Sequence, residues 1–224
     1  IEPGQKPSIY SSQDLDRDVK ILVSKGYQPI GHSAFNGALE GENQVIAQAG
    51  RVGAVLVLVK SDYTNTQTNT VPLFLPNNTT TYGSGSVYGS GGSASYYGSS
   101  TTYGTMVVPL TSQQRRYDQT AVYFVKSTKK LKYGLFVVDL SPELRASIQR
   151  NAGALVDIVM EDSPAFYANM LPGDILIRLD GIEVRNASHA LELMKDAAPP
   201  DGESLLTVIR GGKEKTIAVR LGAK

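Results

Sequence analysis

Cysteine is absent from this chain of 224 residues. That excludes disulfides, a thiol nucleophile and any thiolate metal site. Histidine is nearly absent: His32 and His189 are the only two, too few for a His-rich metal centre, so neither metal nor cofactor is expected. No apolar run approaches the roughly 20 residues of a membrane-spanning helix. A dominant charge is missing too. There are 22 Lys plus Arg against 21 Asp plus Glu, a formal net charge of +1, which argues against a dedicated nucleic-acid binder. The chain starts at Ile1 without an initiator Met or an apolar leader. Such a start fits a processed, exported chain and is compatible with a lipid anchor on a removed upstream cysteine.

What is present is ordinary globular material. Hydrophobic residues make up 41% and charged residues 19%, enough for a real core and for one or two domains. The composition is uneven along the chain. From Tyr63 to Gln114 no side chain is charged, and residues 77–105 are almost wholly Asn, Thr, Ser, Gly and Tyr.

Ahead of that stretch the pattern predicts helix, strand, helix, strand. Ser12 or Asp14 caps the first helix, Leu15, Val19 and Leu22 form its apolar face, and Gly26 stops it. Tyr27 to Phe35 reads as a strand. Asn43 to Arg51 reads as a helix ended by Gly53. Ala54 to Lys60 is short, apolar and β-branched, hence a buried strand. This order predicts a two-layer α/β domain with helices on one sheet face. Val71–Pro76 and Met106–Leu110 are matching apolar arms of a long hairpin, and Thr120–Lys126 is a further strand. Pro72, Pro76 and Pro109 predict edge-like or irregular arms. Residues 77–105, with Tyr82, Tyr88, Tyr96, Tyr97 and Tyr103, are expected as a solvated hairpin tip. Residues 127–132 form a short basic connector with Lys129, Lys130 and Lys132.

Beyond the connector, Ser141-Pro142 and Ser163-Pro164 each open a helix through a serine cap and a proline in the first turn. Gly153–Met160 and Ile175–Leu179 read as strands, Asp180-Gly181 as a hairpin turn, and Ser188–Ala197 as a helix. Strands Leu205–Arg210 and Thr216–Leu221 flank Gly211-Gly212. The runs Gly153-Ala-Leu-Val, Asp162-Ser-Pro-Ala, Leu171-Pro-Gly-Asp-Ile-Leu, Leu179-Asp-Gly and Val208-Ile-Arg-Gly-Gly-Lys occur in the order found in the PDZ domain. In these motifs the chain resembles the bacterial PDZ variant of HtrA-type proteases, over about residues 131–224. The first domain is similar, over a commoner pattern, to small α/β domains of uncharacterised bacterial envelope proteins.

The fold class expected is therefore α+β. A two-layer α/β domain with a long β-hairpin spans 1–126, and a PDZ-like, partly open β-barrel with flanking helices spans 133–224. The resemblance implies a groove that takes a protein or peptide C-terminus as an added β-strand. Tyr133-Gly134-Leu135 fits the carboxylate loop, whose successive N–H groups form an anion nest. The receiving strand begins at Leu135, Phe136 and Val137, and the flanking helix brings Ser188, His189, Glu192 and Leu193. Lys132 is expected to attract the carboxylate, and either Ser188 or His189 to select a ligand hydroxyl.

No catalytic residue is expected. No Gly-x-Ser-x-Gly occurs, and His32 and Ser33 are neighbours on a strand, so their side chains point to opposite faces. The reading is a non-catalytic, peptide-binding protein of the bacterial periplasm or cell envelope. The alternative is an assembly protein with a closed groove that oligomerises through the hairpin.

Overall fold

The computed structural model describes residues 6–129, 131–197 and 202–222. Lys130 of the expected connector lies outside the described residues. By contacts the chain divides at the base of the hairpin rather than at 127–132. One compact unit holds residues through Phe35, Glu40–Ser61 and everything from Gln119 onward, and the other holds Asn36–Leu39 and Asp62–Asp118.

The first sheet contains β1 (Ser8–Ser11), β2 (Tyr27–Gly37), β3 (Leu56–Gly89) and β4 (Gly92–Lys126), in the order β1-β3-β4-β2. β1, which no sequence signal marked, pairs parallel with β3, Ser8 opposite Leu56. α1 (Leu15–Ser24) is capped by Asp14, whose carboxylate accepts the Arg17 N–H. α2 (Glu42–Val52) ends on Gly53 in the left-handed region. The two helices do not share one sheet face. Leu15, Val19 and Leu22 of α1 pack with Leu56, Leu58 and Phe124, whereas Val45 and Ala49 of α2 pack with Val57, Ala121 and Tyr123. Successive strand residues point to opposite faces. An unbroken Leu-Val-Leu-Val run is therefore apolar on both faces, and both need a cover.

In the second unit β3 and β4 continue as a two-stranded ribbon, and the turn falls at Ser90-Gly91. The strands hold 34 and 35 residues, against roughly five or six in an ordinary strand. The expected loose tip at 77–105 is thus paired backbone. Thr70 meets Thr111, Thr80 meets Thr101 and Ser86 meets Ser95 in side-chain hydrogen bonds of 3.0–3.2 Å. The register is therefore constant over this length. Nearer the base, Tyr63 packs edge-on against Tyr117, odd against odd, while Thr70 to Thr111 is even against odd. That change of parity requires one extra residue in one strand, a β-bulge.

Of the edge-like or irregular arms expected at the prolines, the structure shows edge-like placement in unbroken strands. In this register Pro72 falls opposite Pro109, and Pro76, opposite Thr105, lies on a row of the same kind. Alternate rows of an antiparallel pair turn their N–H groups outward. Prolines on those rows cost no ladder bond, which is the edge-strand placement that proline tolerates.

The remainder of the first unit is a six-stranded antiparallel sheet with three short helices. Its elements are β5 (Leu135–Asp139), α3 (Pro142–Ile148), β6 (Ala154–Val159), α4 (Pro164–Tyr167), β7 (Ile175–Leu179), β8 (Ile182–Glu183), α5 (Ala187–Asp196), β9 (Glu203–Arg210) and β10 (Lys213–Arg220). The order is β10-β9-β7-β6-β5, with β8 on β7. One core layer joins Leu176, Leu206, Val208 and Val219 to Ala190 and Met194 of α5. A second, on the other side, joins Ile175, Ile177 and Ile209 to Leu144 and Ile148 of α3. Asp180 and Gly181 both have positive φ, 49° and 82°, the geometry of a two-residue hairpin turn. Asp174 is 1% exposed and fully engaged. It accepts the Leu171 N–H and two bonds of 2.6 Å from Arg210, which ties the Leu171-Pro-Gly-Asp turn to β9.

Candidate functional site

β5 is the last strand of its sheet and pairs on one side only, with β6. Among the described residues no strand occupies its other edge. Its residues alternate: Leu135 and Val137 are buried in the core with Ala190 and Met194 of α5, while Phe136 and Val138 are exposed. α5 therefore runs beside the open edge, and the space between them is the candidate groove.

The loop entering β5 is rigid. Gly134 has φ 75°, a region costly for other L-residues, and a Cβ there would collide with Ser163. Its carbonyl accepts the Met160 N–H at 2.8 Å, and the Tyr133 carbonyl accepts the Ala165 N–H at 3.0 Å. Both carbonyls are thus turned toward the body of the domain. Ser163 itself caps α4 through the Phe166 N–H, so the loop sits against the start of that helix.

Beneath the loop lies a buried polar chain. The Tyr133 hydroxyl is 2.6 Å from the Ser204 hydroxyl, and Ser204 donates to Asp180 at 3.1 Å. Asp180 also accepts the Leu205 N–H at 2.7 Å. Burial raises the pKa of Tyr133 above the ordinary phenol value; the Ser204 hydrogen bond opposes this, and the Asp180 charge adds to it.

α5 is held at both ends. Asn186 caps it by accepting the His189 N–H at 2.9 Å, so the helix begins before the expected Ser188. Asp139, at the end of β5, accepts the Ala187 N–H at 2.8 Å. At the other end Lys132 donates to the carbonyls of Lys195 and Ala197. The Lys132 ammonium therefore closes the helix C-terminus, where the helix dipole favours a cation, and is not turned to a ligand carboxylate as the sequence implied.

Tyr133, Gly134, Leu135 and Val137 come together, and Leu193 packs against the same cluster. Phe136 lies on the opposite face of β5 from Leu135. His189, Glu192 and Leu193 have the spacing i, i+3, i+4 of one helix flank. The His189 Nδ1 accepts the Arg185 N–H at 3.3 Å. In the neutral ring this places the proton on Nε2, which is then a donor. Ser188 is exposed in the first turn. Asp139 and Asn186, which set the helix against the strand, were not singled out by the sequence. The Asn-x-x-His spacing was the signal available for the cap.

In the first sheet, the Ser33 hydroxyl lies 3.2 Å from that of Tyr123, while His32 is exposed. A cavity of about 300 Å³ beside them is lined by Phe35, Val45, Gln48, Val59 and Tyr123, among others.

Residues 124–221 match the PDZ domain. A probable periplasmic serine endoprotease, DegP-like, of Hahella chejuensis is 33% identical over 91 residues, 40% of this chain and 19% of that protein. A putative serine protease, HhoB, of Synechocystis is 32% identical over 111 residues, 44% of this chain and 26% of that protein. Among solved structures, the HtrA-type protease AlgW with a decapeptide is 26% identical, covering 41% of this chain and 29% of that one, with a TM-score of 0.36. Residues 124–221 thus form a PDZ domain similar in sequence to these relatives, and the match spans about a fifth to a quarter of the curated relatives.

Proposed function

We propose that this protein binds the C-terminus of a protein or peptide in the groove between β5 and α5 and has no catalytic step of its own. The observation that carries the reading is the free edge of β5, entered through Gly134, where a Cβ would collide with Ser163. A peptide strand added there hydrogen-bonds along the edge, and its carboxylate meets the N–H groups around Gly134 and Leu135. Leu135, Val137 and Leu193 receive the terminal apolar side chain, and the His189 Nε2–H donates to a hydroxyl two residues upstream. The names of the relatives support a place in the periplasm or cell envelope.

Calorimetry on the whole chain tests this, with C-terminal peptides as free acids and as amides. The acid is expected to bind at least about tenfold tighter, the value of one charge-assisted interaction. Equal binding of the two forms removes the carboxylate loop. No binding of either leaves the alternative, an assembly protein with a closed groove.

A further inference from the structure

None of the residues assigned to the proposed peptide groove lies on the ribbon of β3 and β4. A two-stranded hairpin is marginal alone in water and needs further strands or a packed face. The register of Thr70 with Thr111 puts Val71 opposite Leu110, Leu73 opposite Val108 and Leu75 opposite Met106, all on one face. Five of these six are exposed large hydrophobics, Leu110 at 62%. Three consecutive apolar cross-strand pairs form one patch.

We propose that this face packs on the same face of a second copy of this chain, so that two ribbons form a two-layer sandwich. Three features select the occupant. No residue from Tyr63 to Gln114 is charged, so two copies meet without like-charge repulsion and a charged partner finds no counterion. The three pairs are arranged about Leu73 and Val108, with Val71 and Leu110 on one side and Leu75 and Met106 on the other. A twofold axis through the centre therefore sets the patch on itself, as an isologous dimer requires. The outward rows at this height carry Pro72, Pro76 and Pro109, which remove edge donors, so association runs through the face and not by edge pairing. A bilayer is a poor occupant: a spanning strand needs roughly nine to eleven residues, and the apolar arms give way to Asn77 and Asn78 on one side and Thr70 on the other.

The chain contains no cysteine, so single-cysteine reporters in the full protein are clean. Val108→Cys, beside the twofold axis, is expected to be joined into a dimer by a bis-maleimide that spans the roughly 10 Å between packed sheets, several-fold more than Ala146→Cys on exposed α3 at equal concentration. Sedimentation of the unmodified chain is expected to show the mass doubling as concentration rises. Leu73→Lys with Val108→Lys is expected to stay at monomer mass with PDZ unfolding unchanged. A monomer at all concentrations, with Val108→Cys no more cross-linked than the control, overturns the proposal. So does mass gain only with phosphatidylethanolamine–phosphatidylglycerol vesicles, which would make lipid the occupant. If the lysine variant does not fold, the two cysteine reporters decide.

Discussion

Gly134 is where backbone conformation and site chemistry meet. Its φ of 75° costs an L-residue roughly 1–2 kcal/mol, and any Cβ collides with Ser163. Gly134→Ala is expected to lower the melting temperature by roughly 5 °C and to abolish binding of free-acid peptides, read by calorimetry. Tyr133 below it anchors the loop. Tyr133→Phe removes one hydroxyl from the chain to Ser204 and Asp180, a loss of about 1 kcal/mol. Because the folded state holds the phenol proton more tightly than the unfolded chain, this residue's contribution is intact below about pH 10 and declines as pH rises above it. Urea midpoints of the two proteins should therefore converge above pH 10. A gap that stays constant to pH 11 would exclude the buried hydroxyl as its source.

At the level of elements, α5 matters because its distance from β5 sets the groove. Asn186 and Asp139 fix its N-terminus, and Lys132 fixes its C-terminus. Asn186→Ala is expected to cost about 1 kcal/mol and to weaken peptide affinity together with stability. Loss of stability with unchanged affinity would mean the groove does not depend on the helix start. The position of that start was not legible locally. Asn and Ser are both good caps, and the Ala187 N–H that decides between them is bound by Asp139, 48 residues away. The ribbon shows the same limit. Thr, Ser and Tyr suit strands, but glycine and low complexity read as loop. The continuous cross-strand pairs supply what local propensity leaves open.

For the whole molecule, the PDZ body and α1 are joined beside the loop at Gly134. The Glu161 N–H donates to the Ser24 carbonyl at 2.8 Å, and Lys20 pairs with Asp157 at 2.5 Å. The Lys20 side chain is half exposed, and such pairs contribute about 1 kcal/mol or less. Asp157→Asn is therefore expected to move stability by no more than that and to leave peptide affinity within about twofold. Replacing residues 77–105 by a short Gly-containing turn should leave the calorimetric transition of the first unit nearly unchanged, since closure cost varies slowly with length. A loss above about 2 kcal/mol, the size of a core truncation, would show that the tyrosines pack on a core.

The PDZ part was legible in the sequence. Ser-Pro helix starts and the Leu171-Pro-Gly-Asp turn rest on bonds three residues apart, so their chemistry is written in adjacent letters, whereas Tyr133-Gly134 was legible only through its resemblance, its partners Met160, Ser163 and Ser204 lying far along the chain. The buried strands at Leu56 and Phe124 were legible too, because strand period and apolar character are local. That α1 and α2 cover opposite sheet faces emerges only from the packed fold. Each helix has one apolar stripe, and which face it meets depends on the parity of a strand far along the chain. The same holds for Lys132, whose ammonium is drawn to the last carbonyls of α5 by a dipole that exists only once that helix is docked.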